Sequence, residues 1–131
     1  MNDTSLHKKF VFNAKIDEEW LYSLYEYDYP YMAEVFNSSL HSLRDELPSL
    51  INAYESFDLS SLKKGIHKIK PIFGYTGLLS QQEIMARFEN ACGNANSTSN
   101  LTMQYIETLE QIQEGKSIIQ EEYNRLTAFI S

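Results

Sequence analysis

Four lysines crowd one histidine in an otherwise acidic chain. Lys63, Lys64, Lys68 and Lys70 flank His67, and no Asp or Glu occurs between Asp58 and Glu83, although the chain carries a formal charge of -7. A histidine in a local cationic field suits phosphoryl chemistry. The field favours the neutral, nucleophilic imidazole and then balances the negative charge the ring acquires with the group. On position alone the same residue could equally be an ordinary surface histidine on a solvated basic face. His7 and His41 have no comparable setting.

Other chemistries lack their residues. Nothing resembles a phosphate-cradling Gly-rich loop, so no ATP site is expected. Ser, Asp and His occur without the context of a hydrolase triad. Three scattered histidines and one cysteine make no metal-ligand spacing, and neither metal nor cofactor is expected on the chain itself. Cys92 falls on an apolar helical face and reads as inert packing. A single cysteine excludes an intrachain disulfide and is compatible with a reducing cytoplasm.

The positioning elements follow from pattern. With 131 residues, 43% of them apolar, and only five Gly and three Pro, the chain is long enough for one domain with its own core. The acidic balance leaves only one small basic island, which argues against a nucleic-acid partner. No apolar run approaches a membrane span, and the N-terminus is too soon charged for a signal peptide. Residues 1–15 read as a lead-in docked by Phe10 and Phe12.

A short first helix is predicted after Asp17, whose carboxylate can cap its first turn, with Ile16 and Leu21 placed as a hydrophobic staple. Trp20, Leu21, Leu24 and Tyr25 form its expected apolar face. Asp28 and Pro30 start a long helix to about Glu55, striped by Met32, Phe36, Leu40, Leu43, Leu47, Leu50 and Tyr54, with a bend expected at Pro48. Asp58 caps a third helix to about Tyr75. A fourth spans about 78–92 with Leu78, Met85, Phe88 and Cys92 inward. Gly93 to Asn100 reads as a loop. The last helix covers about 100–130. The expectation is an all-α, antiparallel four-helix bundle with a short additional N-terminal helix. Tyr22, Tyr25, Tyr27, Tyr29 and Tyr31 crowd the first hairpin, either as packing at the bundle edge or as a partner-docking surface.

On a helical wheel Leu62, Ile66, Ile69 and Phe73 fall within roughly 40°, which defines the core face of the third helix. His67 lies about 130° from its centre and is expected to be exposed. Lys63, Lys70, Pro71 and Gly74 lie within about 60° of it. Lys63 and Lys70 are its neighbours at i−4 and i+3. Pro71 and Gly74 are compact and predict open space beside the ring, where a partner's backbone could approach.

The run His67-Lys68-Ile69-Lys70-Pro71, with Gly77 ten positions after His67, resembles the histidine-containing phosphotransfer (HPt) domain. That family's pattern is H-x-L-K-G followed by Gly at the same offset. Asp58 to Lys64 is similar to the family's lead into the histidine helix, and Phe36 with Pro48 and Leu50 to its long second helix. The resemblance spans roughly residues 17–93, and the last helix by length and stripe. Pro71 stands where the family usually has Gly. It has no N–H for the His67 carbonyl, so a kink is expected there.

The resemblance implies a phosphoryl carrier rather than a free-standing enzyme. His67 would be the phosphoacceptor and Lys70 the cation that balances the phosphoryl group. Lys63, Lys64, Pro71 and Gly74 would form the docking surface. The partners implied are response-regulator receiver domains and a hybrid histidine kinase, with the divalent metal on the receiver. The alternative is a module that docks a receiver or kinase without turnover, through the change at Pro71. A cytoplasmic monomer is expected, with no nucleic-acid or membrane partner. The start at Met1 and the end just after a complete helix lead to the expectation of a stand-alone protein.

Overall fold

The computed structural model describes residues 8–131. His7 therefore lies outside the described residues. The helices are α1 (Glu18–Tyr25), α2 (Tyr29–Glu55), α3 (Leu59–Tyr75), α4 (Leu79–Asn94) and α5 (Thr102–Ile130), with a 3₁₀ turn at Thr98–Leu101 before the last. There is no strand among the described residues. None of their helices is long and apolar enough to cross a membrane.

Three aspartates set the helix starts as expected. Asp17 Oδ1 accepts from Trp20 N at 3.0 Å, Asp28 Oδ1 from Tyr31 N at 3.1 Å and Asp58 Oδ1 from Ser61 N at 3.0 Å. Each satisfies a first-turn N–H that has no partner within its helix. The α2–α3 turn closes with Phe57 at φ 57, where Asp58 N donates to the Ala53 carbonyl at 2.9 Å. Helices α2 and α3 run unbroken through Pro48 and Pro71.

The stripes meet in one core. α3 packs between α2 and α4, and α5 closes the bundle against α2 and α4. Phe36, Leu43, Leu50, Leu62, Ile66, Ile69, Phe73, Met85, Ile112 and Ile119 are fully buried within it. Gly115 lets α5 approach α3, since a Cβ there would run into the Phe73 ring.

The expected apolar face of α1 needs correction. Only Leu21 is buried; Trp20 and Leu24 are 40% and 43% exposed. α1 is two turns long, and its hold comes from buried Leu21 together with the hydrogen bonds of Trp20 to the Gly74 carbonyl and of Tyr25 to the Tyr75 carbonyl. The expected loop also shrinks, because α4 continues through Gly93 to Asn94.

The described part of the lead-in, residues 8–15, is strapped down as expected, with Phe10 and Phe12 both buried. Its anchor is a buried carboxylate paired with a half-exposed arginine. Glu122 is 1% exposed, takes Arg125 Nη1 at 2.7 Å and accepts from Asn13 N at 2.8 Å. Arg125 also donates to the Val11 carbonyl at 2.9 Å and covers the Phe10 ring. At the other end of the strap, Asp17 N donates to the Gly77 carbonyl at 2.9 Å. Gly77 has φ 75, and a Cβ there would crowd Ile16 and Leu21. The glycine ten residues after His67 thus serves both the α3–α4 turn and the seating of α1.

Candidate functional site

The site grows from the two-faced character of α3. Its core face, Leu62, Ile66, Ile69 and Phe73, is completely buried, as the wheel requires. Gly65 brings α3 close to Leu50 of α2. The opposite flank is left to solvent, and the His67 side chain there is 67% exposed.

The ring is not held by its own helix. Glu89 on α4 reaches across, and its Oε2 lies 2.7 Å from His67 Nδ1. The other oxygen of the same carboxylate accepts from Lys70 Nζ at 2.8 Å. Glu89 is positioned by its neighbours in sequence, since Phe88 and Cys92 are core residues that fix the roll of α4. The Glu89 carboxyl is held below the usual carboxylate range. The Lys70 hydrogen bond is the largest cause, partly opposed by burial and aided by His67. An ionised carboxylate only accepts hydrogen bonds, so Nδ1 must carry the proton. In the neutral ring this leaves the lone pair on Nε2, which points away from the Glu89 contact.

Two features of the setting come from α4. The field around His67 is not purely cationic, because Glu89 sets a negative charge against Nδ1. Lys70 is not a free cation in this geometry, because it is paired with Glu89. The α3 sequence contains no acid, and the one that matters comes from the next helix, 22 residues on.

The other predicted residues divide. Lys63 and Lys64 are exposed on the same helix as His67. The Lys63 amine lies over Gly93 of α4, where a Cβ would stand 3.2 Å from Nζ. Lys63, Lys70, Ala86, Glu89, Asn90 and Gly93 line an open cavity of about 310 Å³ between α3 and α4. Pro71 is half-buried. Gly74 is buried, which corrects the expectation of open space beside the ring. Trp20 Nε1–H donates to its carbonyl at 2.8 Å, and the Gln82 amide occupies the place a side chain would take.

The tyrosine-rich hairpin is partly packing and partly surface. Tyr29 is buried and bonded to Phe10 N through its hydroxyl at 3.0 Å, while Tyr22 and Tyr27 stack at 4.4 Å. Tyr25 donates to the Tyr75 carbonyl at 2.8 Å, which joins α1 to the end of α3. Leu24, Tyr25, Tyr31, Val35 and Tyr75 are among the residues lining a groove of about 540 Å³ there. His41 is exposed on α2. Cys92 is buried, and burial pushes its thiol up to about 11. No cluster of metal-ligating side chains occurs among the described residues.

No family model matches the chain. It is 28% identical over 80 residues to the phosphorelay intermediate protein rdeA of Dictyostelium discoideum, a match covering 61% of this chain and 32% of that protein. The match therefore spans about a third of that relative's length. Among solved structures, the HPt domain of an Hpt sensor hybrid histidine kinase from Shewanella superposes with a TM-score of 0.73 at 16% identity. That likeness covers 85% of this chain and 95% of the other. The architecture is the one the resemblance implied, and the chain carries the fold of a histidine-containing phosphotransfer domain.

Proposed function

We propose that this chain is a phosphorelay intermediate that accepts a phosphoryl group on His67 and passes it to a second protein. The observation that carries this reading is an exposed imidazole whose Nδ1 is tied to an ionised carboxylate, which leaves Nε2 as the nucleophile. In the accepting step the Nε2 lone pair attacks the phosphorus of an aspartyl-phosphate on a receiver domain. The P–O bond breaks, and the aspartate leaves with the electron pair. In the donating step the path is reversed toward another receiver's aspartate. Both steps are in-line displacements governed by alignment and charge balance. The receiver, including that of a hybrid histidine kinase, supplies the divalent cation. This chain supplies the nucleophile and, once Lys70 turns from Glu89, a cation for the phosphoryl oxygens.

The receiver has a surface to meet. Trp20, Leu24, Tyr31 and Tyr75 are exposed apolar or aromatic residues around the end of α3 that carries Gly74. Leu24, Tyr31 and Tyr75 line one groove there and Trp20 is bonded to the Gly74 carbonyl, a surface suited to a partner's hydrophobic contact. α3 runs on through Pro71 to Tyr75, which favours a working carrier over the alternative of a docking module without turnover. The one buried cysteine suits a cytoplasmic setting.

The test is incubation with a panel of phosphorylated receivers, followed by detection of acid-labile, base-stable phosphate. Uptake by the wild type and none by His67→Gln is expected. Binding to receivers with no uptake would favour the docking module instead.

A further inference from the structure

We infer that Arg125 is a positioning residue for receiver docking: from the last helix it fixes the strap of residues 8–16, and the strap fixes α1 against the end of α3. This rests on the reading of the chain as a carrier whose receiver meets Trp20 and Leu24 on α1. An eight-residue helix does not hold its own shape in water, where about 12–15 residues are already marginal. α1 buries one side chain, Leu21, and leaves Trp20 and Leu24 partly in solvent. Its place is therefore set by what grips it from each side. On one side is the end of α3, where Trp20 Nε1–H and the Tyr25 hydroxyl donate to the Gly74 and Tyr75 carbonyls, each at 2.8 Å. On the other side is the strap.

The strap grips α1 in two places. Phe12 N donates to Glu18 Oε2 at 2.8 Å. The Tyr22 hydroxyl on α1 donates to the Phe10 carbonyl at 3.1 Å, and Phe10 N donates to the Tyr29 hydroxyl on α2 at 3.0 Å. The two phenol oxygens lie 3.1 Å apart. A backbone N–H can only donate and a carbonyl can only accept, so the Tyr29 hydroxyl must donate to that of Tyr22. The hydrogen bonds then close a ring through α1, the strap and α2, and the ring opens if Phe10 moves. α5 is what pins Phe10. Arg125 lies 4.6 Å over its ring, donates to the next carbonyl, that of Val11, at 2.9 Å, and is itself held by Glu122 at 2.7 Å. A planar guanidinium can serve the carboxylate and the carbonyl at once, which a lysine amine does less well. A residue of α5 is thus tied through the strap to α1, and α1 to the docking end of α3. His67 stands outside this series of contacts, with its ring bonded to Glu89.

The test separates docking from chemistry in two variants of the full chain, each with His7 and His41 replaced by Gln. Arg125→Ala frees the strap from α5. Tyr22→Phe removes one hydroxyl from the ring and keeps the packing, so it decides the matter if Arg125→Ala does not fold. Three quantities are read: the emission of Trp20, the single tryptophan; the rate of His67 labelling by phosphoramidate, a small donor that needs no docking surface; and KM and kcat for transfer from a phosphorylated receiver with Mg²⁺. The expected result is a red-shifted Trp20 emission, unchanged phosphoramidate labelling, and a raised KM with kcat kept. The rise should be about tenfold in Arg125→Ala, the effect of losing one or two docking anchors, and smaller in Tyr22→Phe. Wild-type KM and emission in the folded variants would overturn the inference. So would equal losses of receiver transfer and phosphoramidate labelling, which would place the effect in the fold as a whole. If no receiver phosphorylates the wild type, the carrier reading falls, while the Trp20 emission still decides whether the strap seats α1.

Discussion

Glu89 lies 22 residues after His67 in the chain, and its Oε2 stands 2.7 Å from His67 Nδ1. The contact joins an exposed ring on α3 to a largely covered carboxylate on α4, whose side chain is 17% exposed. It makes the two ring nitrogens inequivalent, and so selects which one meets a partner.

His67 is expected to be the sole phosphorylation site. His67→Gln should abolish labelling by a phospho-receiver and leave the far-UV spectrum and unfolding midpoint close to wild type, because the side chain is mostly in solvent. Labelling that persists in this variant, or that follows His41, would refute the assignment.

The Glu89 ion pair predicts a signed pH dependence. Its carboxyl is depressed, chiefly by Lys70, so the folded state favours the ionised form. The stability this contributes is present above the ordinary carboxylate range and is lost as pH falls through the depressed value. Wild type should therefore exceed Glu89→Gln in unfolding free energy at neutral pH, and the difference should fade in strong acid. Lys70→Ala should weaken the acid dependence and slow phosphoryl transfer. Acid titrations of the three proteins by circular dichroism check this, and an acid limb unchanged by either substitution would count against it.

Phe73 and Gly115 form one packing unit. Phe73 is fully buried, and Phe73→Ala should cost about 3–5 kcal/mol. Gly115→Ala in a free helix would gain about 1 kcal/mol. Here it should destabilise instead, because the new methyl meets the Phe73 ring. Urea unfolding of the two variants measures both signs, and a stabilising Gly115→Ala would show that the Phe73 ring can yield to a methyl group.

Arg125 holds the strap. Removing it leaves Glu122 with the Asn13 N–H as its remaining protein partner, and unfolding free energy should fall measurably. Arg125→Ala should also free residues 8–16 for proteolysis before the helices are cut. Equal protection of the strap in the variant and wild type would assign its hold to Phe10 and Phe12 instead.

Much of this molecule is local in origin and therefore legible in the chain. The capping carboxylates of Asp17, Asp28 and Asp58 act within three residues of themselves. The stripe Leu62, Ile66, Ile69 and Phe73 follows from helical pitch alone, and the same pitch turns His67 outward. Those features need no knowledge of the neighbouring helices. The carboxylate on Nδ1, the capture of Lys70 and the covering of Gly74 by Gln82 do need it. Each joins residues on different elements, and depends on how far α4 slides and rolls against α3 once Phe88 and Cys92 are seated. The exposure of Trp20 and Leu24 has the same cause, since an apolar face two turns long is buried only as far as the bundle end can cover it. Helix formation and the outward histidine were determined by the sequence within single turns. Which charge meets the histidine was decided by tertiary packing, because that contact exists only when two separately formed helices dock in one register.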